Sequence, residues 1–418
     1  VIATLGSAWK LGDLRRKMLF TLAMLLVFRI GVHIPVPGIN TQVIADLIAK
    51  GQLLGFFDII SGGAFKKFSI FAMSITPYIN ASIIMQLLTV VVPYFERLAK
   101  EGEEGRKKMT EYTRYGTVIL GFIQALGISV GLRSAVLNPG LASTLIIALS
   151  LTAGTAFLMW LGELITEKGI GNGISLIIFA GIVSRVPAGA VAIYEYLAAG
   201  TTNIFVILIF AIVGLGVIAA IVAIQEGQRR IPVQYAKRVV GRRIYGGQST
   251  HIPLKVNQAG VIPIIFAISI MMFPGTVASW FPANRFAIWV TNFFDFRSVW
   301  YNIMYALLII FFTYFYTAIT FNPNDIADNM KKYGGFIPGL RPGRPTAEFI
   351  QKVSSRITMA GALFLAGVAV LPSALMSVTA LPLYFGGTSL LIVVGVALDT
   401  MKQIESNLLM RHYQGFLK

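Results

Sequence analysis

Histidine, cysteine and paired acids do most of the covalent and metal chemistry in proteins, and this chain is poor in all of them. Among its 418 residues there is no cysteine, which excludes disulfides, thiolate nucleophiles, iron–sulfur clusters and Cys-based zinc sites. The three histidines, His33, His251 and His412, are far apart, and none falls in an HExxH spacing. No phosphate loop of the form G-x-x-x-x-G-K followed by Ser or Thr occurs; GLRPGRPT resembles it only by eye. The run GIGNGI over 169–174 spaces its glycines suggestively but links two apolar segments, not a strand and a helix, so it reads as a tight turn. Any energy source therefore lies outside the chain, and neither a catalytic residue nor a cofactor is expected.

Two charges fall inside apolar stretches, Arg29 and Asp399, where ionisable groups are functional candidates by default. The plainer reading puts Arg29 at the outer end of its helix or inside a bundle, and Asp399 near the cytoplasmic interface. What else could line a path is aliphatic. Ile75 and Ile79 are one helical turn apart, as are Ile174 and Ile178, so each pair shares a helix face. For any single isoleucine, lipid contact or packing is the simpler explanation.

The elements that carry these residues follow from composition. Hydrophobic residues make up 56% of the chain and charged residues 13%, against about 25% charged in soluble domains. Apolar windows recur at about 18–36, 69–92, 115–136, 143–162, 173–194, 203–224, 258–281, 299–320, 356–378 and 386–404. Each is long enough to cross a hydrocarbon core of ~30 Å. The fifth is the weakest, because Arg185 and Pro187 interrupt it. The first carries no A-x-A-like cleavage site and reads as a retained helix. The fold class expected is therefore all-α, a polytopic membrane protein of ten transmembrane helices.

Charge sets the orientation. The net charge is +17, and 27 of the 35 Lys and Arg fall in or at the ends of segments that are cytoplasmic if the N-terminus is inside. Both termini are then cytoplasmic. Two long loops stand out, 226–258 and 321–356. The first has alternating β-type residues around Gly241 and Gly246–Gly247, which suggests a projecting basic hairpin. The second is rich in Pro and Gly with scattered cations, and long loops of this kind are usually functional. On the outer side, Ser61-Gly62-Gly63 breaks two apolar stretches too short to span, which fits a re-entrant or pore-buried short helix. The second and seventh windows each carry an early proline beside isoleucines. With five windows on each side, that echo suggests two inverted halves, 1–194 and 195–418.

At SITPYINASIIMQLLTVV, EGEEGRKKMTEYTRYGT, ITEKGIGNGIS, GRRIYGG, KVNQAGVIP and PGLRPG the chain closely resembles the SecY family, the channel subunits of the bacterial Sec translocon. The motifs occur in family order and spacing over essentially the whole chain. The resemblance implies two pseudo-symmetric halves around a central pore, which passes unfolded secretory polypeptides and releases apolar segments sideways into lipid. It implies a pore ring of Ile75, Ile79, Ile178, Ile265 and Ile392, and a plug at about 56–67 that includes Phe57, Ser61, Gly62 and Gly63. It implies a lateral gate between helices two and seven with polar residues Asn80, Gln124 and Asn257; some relatives have Ser in place of Asn80. It also implies motor or ribosome contacts at Arg242, Arg243 and Arg341. Expected partners are the SecE and SecG subunits, the SecA motor ATPase, the ribosome, signal sequences and membrane lipid. The expected location is the bacterial plasma membrane.

Two other classes fit less well. A secondary transporter would need ion or substrate ligands at mid-membrane depth, and an intramembrane enzyme would need a nucleophile–base pair, metal ligands or paired acids there. The apolar windows offer almost none of these.

Overall fold

The structure, a computed structural model, describes residues 2–44, 58, 61–200, 203–235, 238–240, 243–245, 249–281, 284–294, 298–379 and 387–415. Each of the apolar windows contains a helix. A short helix α1 (Ile2–Lys10) precedes α2 (Gly12–Gly31) in the first window. Then come α3 (Thr76–Val91), α4 (Pro93–Lys100), α5 (Glu103–Gly131) and α6 (Leu141–Lys168). The first half closes with α7 (Gly173–Val183) and α8 (Val186–Ala198). The second half begins with α9 (Ile204–Glu226) and the strands β1 (Gln228–Tyr235), β2 (Arg238–Val240), β3 (Arg243–Tyr245) and β4 (Ser249–Lys255). It continues with α10 (Ile262–Ser279), α11 (Arg285–Phe293), α12 (Val299–Thr320), α13 (Pro323–Lys332), β5 (Gly335–Phe336), α14 (Arg344–Thr379) and α15 (Gly387–Gly415).

Among the described residues six helices are long and apolar enough to cross a membrane, and the pair α3–α4, bent by 99°, makes a seventh. Two starts differ from the windows for a physical reason. Helix α3 begins at Thr76 because Pro77 occupies its first turn, where a missing N–H costs nothing. Helix α10 opens the same way, with Pro263 in its first turn, so the echo between the halves is an echo of helix starts. The fifth window breaks at Ser184–Arg185, and Pro187 then sits in the first turn of α8.

Residues 61–75 are turns rather than the short helix expected there. Four left-handed residues prevent helical progression: Gly62, Gly63, Phe68 and Ser74. Buried backbone in this stretch is satisfied locally and by a neighbour: Gly63 N–H donates to the Asp58 carbonyl, Ser69 N–H to that of Ala64, and Ile70 N–H to that of Ile34. Helix α6 makes room for it at Gly154, where a Cβ would come within 1.9 Å of the Ile70 carbonyl oxygen.

The halves meet along α10, which packs against α3 and α5, while α15 packs against α7. One large aliphatic and aromatic core joins residues of both halves, among them Phe28, Phe71, Leu158, Ile221, Ile309 and Leu365. Beyond the helix ends, β1 and β4 pair antiparallel from Gln228↔Lys255 to Gln234↔Ser249, and β2 pairs with β3. The loop 226–258 is thus a hairpin. Strand β5 from the other long loop adds to the free edge of β1 through Gln234↔Phe336, giving the order β4-β1-β5. A separate small core of Ile231, Val233, Leu254, Met330, Ile337 and Ile350 fastens the two loops into one platform.

Candidate functional site

Where the halves meet, Ile75, Ile79, Ile178, Ile265 and Ile392 all belong to one buried cluster and are 1–8% exposed. They come from α3 and the residue before it, α7, α10 and α15, so four helices contribute them to that cluster. Ile174 lies at its edge, with its Cδ1 against Gly162 of α6. These five positions offer no hydrogen-bonding side chain.

The turn carrying Ser61, Gly62 and Gly63 packs on α7, the helix that carries Ile178. A Cβ on Gly62 would lie 2.8 Å from the Gly181 Cα, three residues along α7 from Ile178. Gly62 and Gly63 have φ of +67° and +89°, which glycine alone adopts without strain. Ser61 is buried; its Oγ donates to the Asp58 carbonyl and accepts from Phe65 N–H. Phe57 lies outside the described residues.

At the seam, Asn80 of α3 and Gln124 of α5 line one cavity of about 20 Å³ together with Ser269, Met272 and Thr276 of α10. That volume holds about one water. Asn257 does not reach this cavity: its Nδ2 donates to the Gly260 carbonyl at 2.9 Å, bracing the loop that starts α10. The polar residues of α10 at the seam are Ser269 and Thr276, which a reading by motif passes over because hydroxyls on an apolar helix usually bond their own backbone, as Thr276 does to Met272. Further along the seam, the Trp280 ring at the end of α10 occupies the space a Cβ on Gly127 of α5 would need.

On the platform, Arg341 is exposed, and its carbonyl accepts from Thr346 Oγ1 at 2.9 Å. Arg243 opens β3, paired with Val240, and Arg242 lies outside the described residues. Arg341 and the β2–β3 ribbon belong to loops joined by the β1–β5 pairing.

Of the two isolated charges, Asp399 faces the loop before α10, its Oδ2 3.7 Å from the place of a Cβ on Gly260. Arg29 does more than cap its helix: its Nη1 donates to the Gly62 carbonyl at 2.8 Å. Asp58 and Arg185, which no motif singled out as a pair, form an ion pair beside it. The only sequence signal was an acid next to the SGG break and an arginine in a weak span.

Several helices long and apolar enough to cross a membrane, packed around one large aliphatic and aromatic core, define a polytopic membrane protein. The solved structure described as that of a protein conducting channel has this fold, with a TM-score of 0.67 at 18% identity over 94% of this chain and 92% of that one. The family model SecY matches residues 69–401. The protein translocase subunit SecY of Halalkalibacterium halodurans is 55% identical, covering 99% of both chains, and that of Escherichia coli 48% identical, covering 98% of this chain and 95% of the other. This chain belongs to the SecY family.

Proposed function

We propose that the chain is the pore-forming subunit of a protein-translocation channel, passing unfolded polypeptides through the isoleucine constriction and apolar segments out through the seam. The observation that carries this is the gathering of five isoleucines from both halves into one closed cluster. A passing polypeptide needs a path that widens, yet ions must not leak. An aliphatic ring flexes around unlike side chains, offers them no hydrogen bonds, and dewets when empty. The turn at 61–63 is the plug that seals the ring from outside. Opening α10 away from α3 and α5 gives a signal sequence or membrane segment direct access to lipid.

Asn80 and Gln124 line that gate, with Asn257 bracing its moving helix. Residues 1–194 and 195–418 act as the two jaws. The basic platform, with Arg242, Arg243 and Arg341, receives the SecA motor or the ribosome, since Arg makes bidentate contacts to carboxylate and phosphate. SecE and SecG are the companion subunits, and the membrane is the bacterial plasma membrane. Having no ATP-binding loop, the chain takes its energy from those partners.

The absence of cysteine makes the test direct. A single Ile79→Cys is presented with a stalled secretory chain carrying one cysteine, in the presence of SecA or ribosomes. A disulfide that forms only with engaged substrate supports the reading. Cross-links at other positions but none at Ile79 would remove the ring assignment and reopen the transporter reading.

A further inference from the structure

We infer that Asp58, Arg185 and Arg29 form a charge latch on the plug, and that its strength sets how apolar an entering segment must be to open the channel. The inference rests on the channel reading above. Asp58 is 3% exposed and anchors the plug turn: its Oδ1 accepts Lys66 N–H at 2.6 Å, and its carbonyl accepts Gly63 N–H at 2.9 Å. Its other oxygen, Oδ2, pairs with Arg185 Nη2 at the break between α7 and α8. From the opposite side Arg29 of α2 holds the Gly62 carbonyl. Two guanidiniums from two different spans thus grip one turn, and Asp58 is the carboxylate between them.

Three features make this a latch rather than a fixed brace. First, both arginines sit on the channel wall, and the acid sits on the turn that must leave it. Second, the pair is only partly shielded: the Asp58 side chain is 4% exposed and that of Arg185 27%. Wetting of the path solvates both ions further and weakens the pair. Third, the Arg185 Nε is buried without a hydrogen-bond partner, so the guanidinium is incompletely satisfied when shut. Removing Asp58 would leave two like charges facing the same turn. The latch lies beside the place where Gly62 meets Gly181, three residues from ring residue Ile178, so an intercalating helix that disturbs α7 also disturbs Arg185.

The experiment uses the full channel complex and two secretory reporters, one with an intact signal and one with a shortened apolar core. Asp58→Asn and Arg185→Gln are each expected to raise the ratio of shortened-signal to intact-signal export by about 5-fold or more, the scale of a modest coupling between sites. The exchange Asp58→Arg with Arg185→Asp is expected to bring the ratio back toward that of the parent. A second reading uses Ala64→Cys, a fully buried plug position, and a membrane-impermeant maleimide added from outside. Labelling should speed up when Asp58→Asn is combined with it. An unchanged export ratio and unchanged labelling in the single variants would overturn the latch while leaving the channel reading intact. So would a lowered amount of protein with the parental ratio, which marks a mere brace. A parent chain that exports neither reporter would instead overturn the channel reading beneath it.

Discussion

Gly62 of the plug turn lies directly on Gly181 of α7, so close that a Cβ on the first would stand 2.8 Å from the Cα of the second. Backbone meets backbone there, with no flexible side chain to give way. Close packing of this kind has no slack, since interiors transmit strain rather than absorb it. The turn at 61–63, the proposed plug, is therefore seated by shape as well as by charge.

Gly62→Val adds bulk at that point and a β-branched side chain at φ +67°, so two penalties push the turn outward. The expected result is a measurable ion leak through resting channels in vesicles, several-fold over the parent. A parental leak would count against the turn as a seal.

Replacing both Asn80 and Gln124 with leucine fills the water-sized cavity of the seam with apolar atoms. A seam that opens to lipid exposes leucine at little cost, while the variant gives up polar contacts across the gate worth about 0.5–2 kcal/mol. Opening is favoured, so secretory signals should need a less apolar core. Export rates for a graded series of signals check this, and a threshold that does not move would defeat the gate assignment.

Dewetting and simple packing make different forecasts for the ring. Ile178→Asn changes side-chain size little but adds hydrogen-bonding groups to a position 3% exposed. The expected outcome is a wetter ring: higher resting conductance, and slower passage of polypeptide. Conductance at the parental level would show that width rather than wetting holds the seal.

Arg341→Glu reverses one exposed charge on the basic platform and leaves the Thr346 bond to its carbonyl in place. Transport driven by SecA or ribosomes should fall several-fold, with membrane insertion of the chain itself unchanged. Arg242→Glu is expected to act alike. Normal transport rates in both variants would refute the docking role.

The apolar windows and the hairpin in the first long loop could be read along the chain, because each depends on local periodicity. The proline-led starts of α3 and α10 could be read too, since Pro77 and Pro263 act on their own turns. The motifs of the family carried the five isoleucines, which composition alone could not separate from other isoleucines facing lipid or neighbouring helices.

Other features depend on which segments come to lie together. Strand β5 is only two residues, too short to announce itself, and exists because β1 offers a free edge. Asn257 shares its residue type with Asn80 but turns to the Gly260 carbonyl, because the loop ahead of α10 needs a donor there. Arg29 and Asp58 lie far ahead of Arg185 along the chain, and nothing local to any of them indicates the others. Sequence alone determined that the chain spans the membrane many times, because hydrophobic length acts residue by residue. Only the tertiary structure decided which charges meet at the plug, because an ion pair in a dry interior is stable only where folding brings both ions together and shuts water out.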